Sequence, residues 1–192
     1  MKLKGYLKLK KVSLNPGIST FPMPSAVISV GVGDEANLIT LAYLGKVSLK
    51  PPIVVISIQP KRHSYKLIEK HGEFVINYPT INQLKETDYI GTRSGRDVNK
   101  WQELNLTKEK ASIVQVPMVK EFPWNMECKV INRIELGSHV CYFGEVVATH
   151  SDPKYIKKDN LNPDEFDLFA YISGNYVGLK RGVVGTHGFS LG

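Results

Sequence analysis

The chain has 192 residues, enough to bury a sizeable core, and its 42% hydrophobic and 22% charged residues exclude a chain that is disordered throughout. Twenty-five Lys and Arg against 18 Asp and Glu give a net charge of +7, which favours anionic partners: phosphates, nucleotides, nucleic acid or acidic proteins. No apolar run approaches the roughly 20 residues of a membrane span, and the lysine-bearing N-terminus lacks the apolar core of a signal peptide, so the cytoplasm is the expected compartment and no membrane is expected as a partner.

The expected organisation is a single domain over residues 1–192. Residues 1–15 carry the densest charge. Lys2, Lys4, Lys8, Lys10 and Lys11 alternate with Leu3, Leu7 and Leu9, the pattern of an edge strand or an arm, read as a solvated face before a nucleic-acid stripe. Ala26 to Val32 is rich in Val and Ile and predicts a strand. Gly31-Val32-Gly33-Asp34-Glu35-Ala36 then matches G-x-G-x-x-A, the dinucleotide fingerprint. The expected acidic ribose partner is missing, because the end of the next strand reads Ser57-Ile58-Gln59-Pro60-Lys61-Arg62. Gly33-Asp34 is therefore read as a hairpin turn and the Rossmann reading is set aside.

Ile53 to Ile58 is a continuous run after Pro51-Pro52 and predicts a buried strand. Ser64 to His71 has helical spacing, with Ser64 as a candidate N-cap and Gly72 as the stop. Phe74 to Tyr78 is another strand. Thr80-Ile81-Asn82-Gln83 resembles a capping box that opens a helix ending near Gly91, and Asp97 to Leu104 predicts a short helix. Val130 to Leu136 and Val140 to Thr149 predict a hairpin about Gly137-Ser138. Its two cysteines, Cys128 and Cys141, lie in no CxxC pair, so no metal framework is expected and a reduced state is. Residues 151–167, with Pro153 and Pro163, predict a long surface loop. Leu168 to Ile172 and Tyr176 to Leu179 are expected to close the sheet. Six or more strands with two or three helical insertions make a mainly β protein, an antiparallel β-barrel with helices on its rim.

Four segments in order resemble the flavin reductase-like family, which includes NAD(P)H:flavin oxidoreductases and flavoredoxins. They are Met23 to Val30 continued by Ala36 to Tyr43 and Val47 to Pro52; Arg62 to Ile68 with Gly72 to Asn77; Gly91 to Trp101; and Leu136 to His139 with Phe143 to Val146. The resemblance spans roughly residues 20 to 180. It implies a Greek-key antiparallel FMN-binding split barrel, usually a homodimer, with flavin mononucleotide (FMN) near the subunit interface.

The resemblance also implies site residues. Asn37, Thr40 and Tyr43 would face the flavin, with Ser48 just after them. Arg62 and Ser64 would hold its phosphate with Lys100, with Ser94 and Arg96 nearby. His139 would lie in the flavin or nicotinamide pocket, with a tentative orienting role, and Tyr171 or Phe169 would supply a C-terminal aromatic contact. The family often has Asp before that histidine, and this chain has Ser138. The chemistry fits these types: arginine chelates a phosphate, lysine adds a point charge, and an aromatic plane edges the isoalloxazine.

The implied activity is hydride transfer from NADH or NADPH to flavin and electron transfer onward to an acceptor. Three rivals remain open on the sequence: a flavoredoxin-like FMN carrier reduced by a redox-protein partner, a basic β-barrel that binds nucleic acid, and an oxidase of the pyridoxamine-phosphate type.

Overall fold

The computed structural model describes residues 13, 15–17, 22–158, 160–162, 164–179, 182–184 and 187–191. The lysine-rich arm at 1–15 therefore lies outside the described residues, apart from 13 and 15.

The first hairpin settles the glycine motif. Strand β1 (Ala26–Val30) pairs antiparallel with β2 (Asn37–Leu41), from Ala26 opposite Leu41 to Val30 opposite Asn37. Between them Gly31 (φ 77°) and Gly33 (φ 62°) take left-handed backbone, and Gly33–Glu35 makes one 3-10 turn. At Gly31 a Cβ would lie 2.9 Å from the Glu35 carbonyl oxygen, so glycine is required by the turn and not by a phosphate.

Strand β3 (Leu44–Leu49) folds back on β4 (Pro52–Ile58), and helix α1 (His63–His71) follows. Gly72 ends α1 in the left-handed conformation at φ 64°, as its sequence predicts. Then come β5 (Glu73–Tyr78), helix α2 (Leu84–Thr92), and the short α3 (Lys100–Glu103). The Thr80/Gln83 capping box forms. Two short strands, β6 (Lys108–Glu109) and β7 (Met118–Val119), pair with each other. The long strands β8 (Trp124–Leu136) and β9 (His139–Ser151) make the expected hairpin, with Gly137 at φ 55° in its two-residue turn.

Seven strands form one antiparallel sheet in the order β2-β1-β5-β8-β9-β4-β3. Its two edge strands, β2 and β3, are consecutive in the chain and joined only through Ala42 and Tyr43. Edges joined by so short a link must approach each other, so the sheet curls into a barrel left open along one seam. The Ser57 amide closes the corner on the Tyr43 carbonyl at 2.9 Å.

The curl buries both faces of β1, which explains why Ala26–Val30 is a run and not an alternation. Ile28 and Val30 point inward with Ile56, Ile58, Phe74, Ile76, Val140 and Tyr142, and α1 covers them with Leu67 and Ile68. Val27 points outward with Leu38, Ile90, Trp101, Val119 and Phe122, under α2 and α3. Phe74 lies across Gly144 so closely that a Cβ there would be 2.5 Å from its Cζ.

Two expectations need correction. The C-terminal strands β12 (Phe169–Ile172) and β13 (Asn175–Gly178) do not close the main sheet. They form their own two-stranded ribbon, held by paired backbone bonds between Met23 and Tyr171 (3.0 and 2.9 Å) and by a Tyr176 hydroxyl bond to Asp88 (3.0 Å). These four-residue strands pair with each other and with neither edge of the main sheet. Nor is 151–167 irregular throughout: β9 runs to Ser151, Pro153–Tyr155 is a 3-10 turn, and β10 (Ile156–Lys157) pairs with β11 (Asn160–Leu161). Phe166 anchors the stretch, with its ring centroid 4.4 Å from that of Tyr155 and 6.5 Å from that of Trp124. Both cysteines are free, and among the described residues no helix is long and apolar enough to cross a membrane.

Candidate functional site

A cleft of about 580 Å³ opens along β2, within the range of roughly 300–1,000 Å³ that ligand pockets occupy. The start of β2 supplies Asn37 and Thr40, and the corner beyond it Tyr43. The end of β4 adds Ser57 and Gln59. The loop into α1 brings Lys61, Arg62, His63 and Ser64, the loop after α2 brings Arg93, Ser94, Gly95 and Arg96, and Lys100 and His139 complete the wall. Eight of the ten residues singled out on the sequence thus meet in one place: Asn37, Thr40, Tyr43, Arg62, Ser64, Ser94, Lys100 and His139. Ser48 and Tyr171 do not line this cleft: Ser48 pairs with Ile53 on edge strand β3, and Tyr171 lies in the C-terminal ribbon against the Tyr176 ring.

Lys100 is the most unusual of these side chains. It is only 3% exposed, yet among the described residues it meets no carboxylate. Its ammonium donates to the carbonyl oxygens of Leu38 (2.8 Å) and Ile90 (2.7 Å), which leaves one of three N–H groups for a ligand. Burial, and then the Arg62 charge, push its pKa down to about 8. A buried cation held only by neutral dipoles is short of an anion.

The start of α1 lies beside it. Ser64 does not cap this helix: the N-cap residue is Arg62, whose side chain makes no capping bond. Ser64 lies two residues further in, fully buried, and accepts a hydrogen bond from Asn37 Nδ2 at 2.9 Å, so its own hydroxyl proton is free to be given away. Uncapped N–H groups at a helix N-terminus and a free hydroxyl next to an underneutralised lysine are suited to a phosphate. The field there is positive in another respect: burial, then Arg96, Lys100 and Lys66, hold the His63 imidazole below its ordinary pKa.

Close packing holds this corner together. A Cβ on Gly95 would come within 2.2 Å of Asn37 Oδ1 and 2.8 Å of its Nδ2. Gly95→Ala must therefore push Asn37 aside and break its bond to Ser64. It should weaken FMN binding about tenfold in a flavin titration while the far-UV spectrum is unchanged, and undiminished affinity would show that the Asn37–Ser64 link does not matter.

The other end of the cleft is aromatic. The rings of Tyr43 and His139 lie 5.1 Å apart at 44°, and Ser138 Oγ is 2.8 Å from His139 Nδ1, which orients the imidazole. From Leu38 to Tyr43 is five residues of extended chain, roughly 16 Å. Between the ends Thr40 is partly spoken for, since its hydroxyl donates to the Thr87 carbonyl at 2.6 Å and ties α2 to β2. Gln59 Oε1 is buried at the cleft with no hydrogen-bond partner, a polar atom that a ligand would satisfy. An elongated ligand with an anion at one end and a planar, hydrogen-bonding ring at the other fits these residues, and FMN has that form.

Sequence reasoning missed Ser57, Gln59, Lys61 and Arg93. Lys61 and Arg93 are immediate neighbours of residues it named, but an exposed cation in a loop carries no mark of its own until the fold shows which loops face each other.

The curled sheet and the cleft define a split-barrel protein with a cationic pocket. The family comparison agrees: residues 18–179 match the model of the flavin reductase like domain, and the chain belongs to that family. A protein of Archaeoglobus fulgidus is 34% identical over 158 residues, 82% of this chain and 88% of that one. Among solved structures the flavoredoxin of Desulfovibrio vulgaris (Miyazaki F) superposes with a TM-score of 0.84 at 26% identity, covering 92% of this chain and 97% of its own. An NADH-dependent FMN reductase of Streptomyces nodosus subsp. asukaensis is 25% identical over 130 residues, 68% of this chain and 69% of that protein.

Proposed function

We propose that this protein binds FMN in the cleft along β2 and acts as an NAD(P)H-dependent flavin oxidoreductase. The observation that carries the reading is Lys100, a buried ammonium without a counter-charge beside the uncapped start of α1. The chemistry that bound FMN supplies is acceptance of a hydride (two electrons and one proton) from a reduced nicotinamide, which leaves oxidised, and release of those electrons to an acceptor.

The protein's own residues bind and orient. Lys100, Arg62, Ser64 and the first N–H groups of α1 hold the phosphate, with Ser94 at their side. Asn37 fixes the Ser64 hydroxyl. Gln59 takes up a polar edge of the ring, and Tyr43 with His139 sets its plane. His139 orients and transfers no proton.

The same face supports a homodimer. Ile134 and Leu136 are 43% and 59% exposed, and they lie opposite Cys141 and His139 across the hairpin. Directly opposed residues share a face, so an apolar strip borders the cleft, and a second copy of the chain would cover it.

The test is a visible spectrum. Purified protein loaded with FMN and desalted should keep the flavin bands and lose them under anaerobic NADH or NADPH. The same sample should scatter light as twice 21.5 kDa. Flavin that is kept but stays oxidised favours the second reading, an electron carrier reduced by a protein, for which the likeness to a flavoredoxin speaks. A chain that never binds flavin overturns both.

A further inference from the structure

The cleft carries more positive charge than one phosphate can use. Lys61, Arg62, Arg93, Arg96 and Lys100 line it, and no Asp or Glu does. Among the described residues none of the five is in an ion pair. Asp34, Glu35 and Asp97 line an adjoining hollow that shares Asn37, His63, Gly95, Arg96 and Lys100 with the cleft. A phosphate monoester brings about −1.5 to −2, which Lys100 and Arg62 with the α1 N-terminus already balance. Lys61, Arg93 and Arg96 are left over.

Those three are not scattered. Lys61 precedes α1 and Arg93 and Arg96 follow α2, and the two loops are tied where Arg96 Nη2 donates to the Lys61 carbonyl at 2.8 Å. Arg93 rests its guanidinium 5.8 Å from the centroid of the Tyr89 ring, which restricts it without neutralising it. All three are exposed, where Lys100 is buried. The two loops thus set three exposed cations along the wall of the cleft that also holds the buried Lys100. Arginine on a restrained stem suits a terminal phosphate, which it can grip with two N–H groups.

Resting on the proposed function, we propose that these three cations form an outer subsite that takes the 2′-phosphate of NADPH, and that the protein uses NADPH in preference to NADH. With its nicotinamide stacked on the flavin at the Tyr43–His139 end, a dinucleotide would run its adenosine half over the bound FMN toward these loops. Both dinucleotides carry the pyrophosphate, so only the 2′-phosphate separates them. The subsite holds the co-substrate and takes no part in the transfer itself.

The experiment uses FMN-loaded protein and measures kcat/KM for NADPH and for NADH, with an artificial electron acceptor, at low and moderate salt. NADPH should lead by at least about tenfold, from one charge-assisted contact, with the lead shrinking as salt rises. Arg93→Ala, and separately Lys61→Ala, should cut the NADPH:NADH ratio several-fold through KM, with FMN content unchanged. As a binding readout, adenosine 2′,5′-bisphosphate should compete better than adenosine 5′-monophosphate. Equal use of the two dinucleotides, or an Arg93→Ala ratio that does not move, overturns the preference while leaving the reductase reading intact. Flavin that neither dinucleotide reduces overturns the reductase reading and the preference with it.

Discussion

Lys100→Met lowers FMN affinity roughly 100-fold, because it removes a charge-assisted bond inside a desolvated corner while every other phosphate contact remains. The stability of the flavin-free protein moves much less. Removing the ammonium leaves the Leu38 and Ile90 carbonyls without that donor, which destabilises, but it also relieves the cost of a buried cation that has no counter-ion. The two terms oppose. Fluorescence titration with FMN measures the first effect, and thermal melting of flavin-free protein the second. A melting point that collapses along with the affinity would make Lys100 a structural residue.

The pH profile separates charge from shape. With no ligand, Lys100 has its pKa pushed down to about 8 by burial first and Arg62 second. A bound phosphate raises that value, so binding takes up a proton once the free protein has lost it. FMN affinity should hold steady between about pH 7 and pH 8 and then fall by up to tenfold per unit. Protonation of the phosphate, with a second pKa near 6, should weaken binding on the acid side. His63, held below its ordinary pKa, is neutral on the alkaline side. The alkaline fall should therefore be lost in Lys100→Met, and a variant that kept it would show that another group governs binding.

Much of the strand order was legible because local signals are strong where turns are tight. Gly137-Ser138, the Thr80/Gln83 box and Gly72 each mark a chain reversal or a helix end by conformational need, and each lies where its sequence predicts. The four segments that resemble the family also carried eight of the ten site residues into the cleft. What stayed hidden depends on distant parts of the chain. Ser64 reads as a cap because serine before an apolar run usually is one, but the helix starts two residues earlier than that reading requires, and the hydroxyl faces Asn37 instead. Lys100 reads as surface in any window, and only the packing of α3 under β2 buries it. The C-terminal strands have the right composition to join the sheet, and no local signal says that they pair with each other instead.

Glu127→Gln should lower stability by about 3 kcal/mol and leave FMN binding intact in the folded protein. Glu127 lies in β8 and is fully buried. One oxygen accepts from the Ser112 amide (2.7 Å), the Ser112 hydroxyl (2.7 Å) and His150 Nε2 (2.6 Å). The other accepts from the amides of Ile113 (2.7 Å) and Val114 (2.9 Å). This one carboxylate pins the loop that lays Ala111, Val114, Val116 and Met118 over Val75. Burial by itself would raise the pKa, but the bonds from Ser112, Val114 and Ile113 outweigh it and hold the value at about 2. Because the folded value lies below the unfolded one of about 4.5, the carboxylate stabilises the fold fully above pH 4.5. That contribution fades as the pH falls toward 2, and a gap of two to three units corresponds to about 3 kcal/mol. Glutamine keeps the shape, but it turns an NH2 group toward donors and cannot satisfy them. Urea unfolding from pH 7 down to pH 2 should show the wild type losing stability over this window, and Glu127→Gln starting lower with a shallower slope. His150→Ala, which removes one donor of five, should cost less. Parallel acid limbs for the wild type and Glu127→Gln would mean that other carboxylates set the acid sensitivity, and that the loop is held by its apolar contacts and the Glu73 bond to the Gln115 amide.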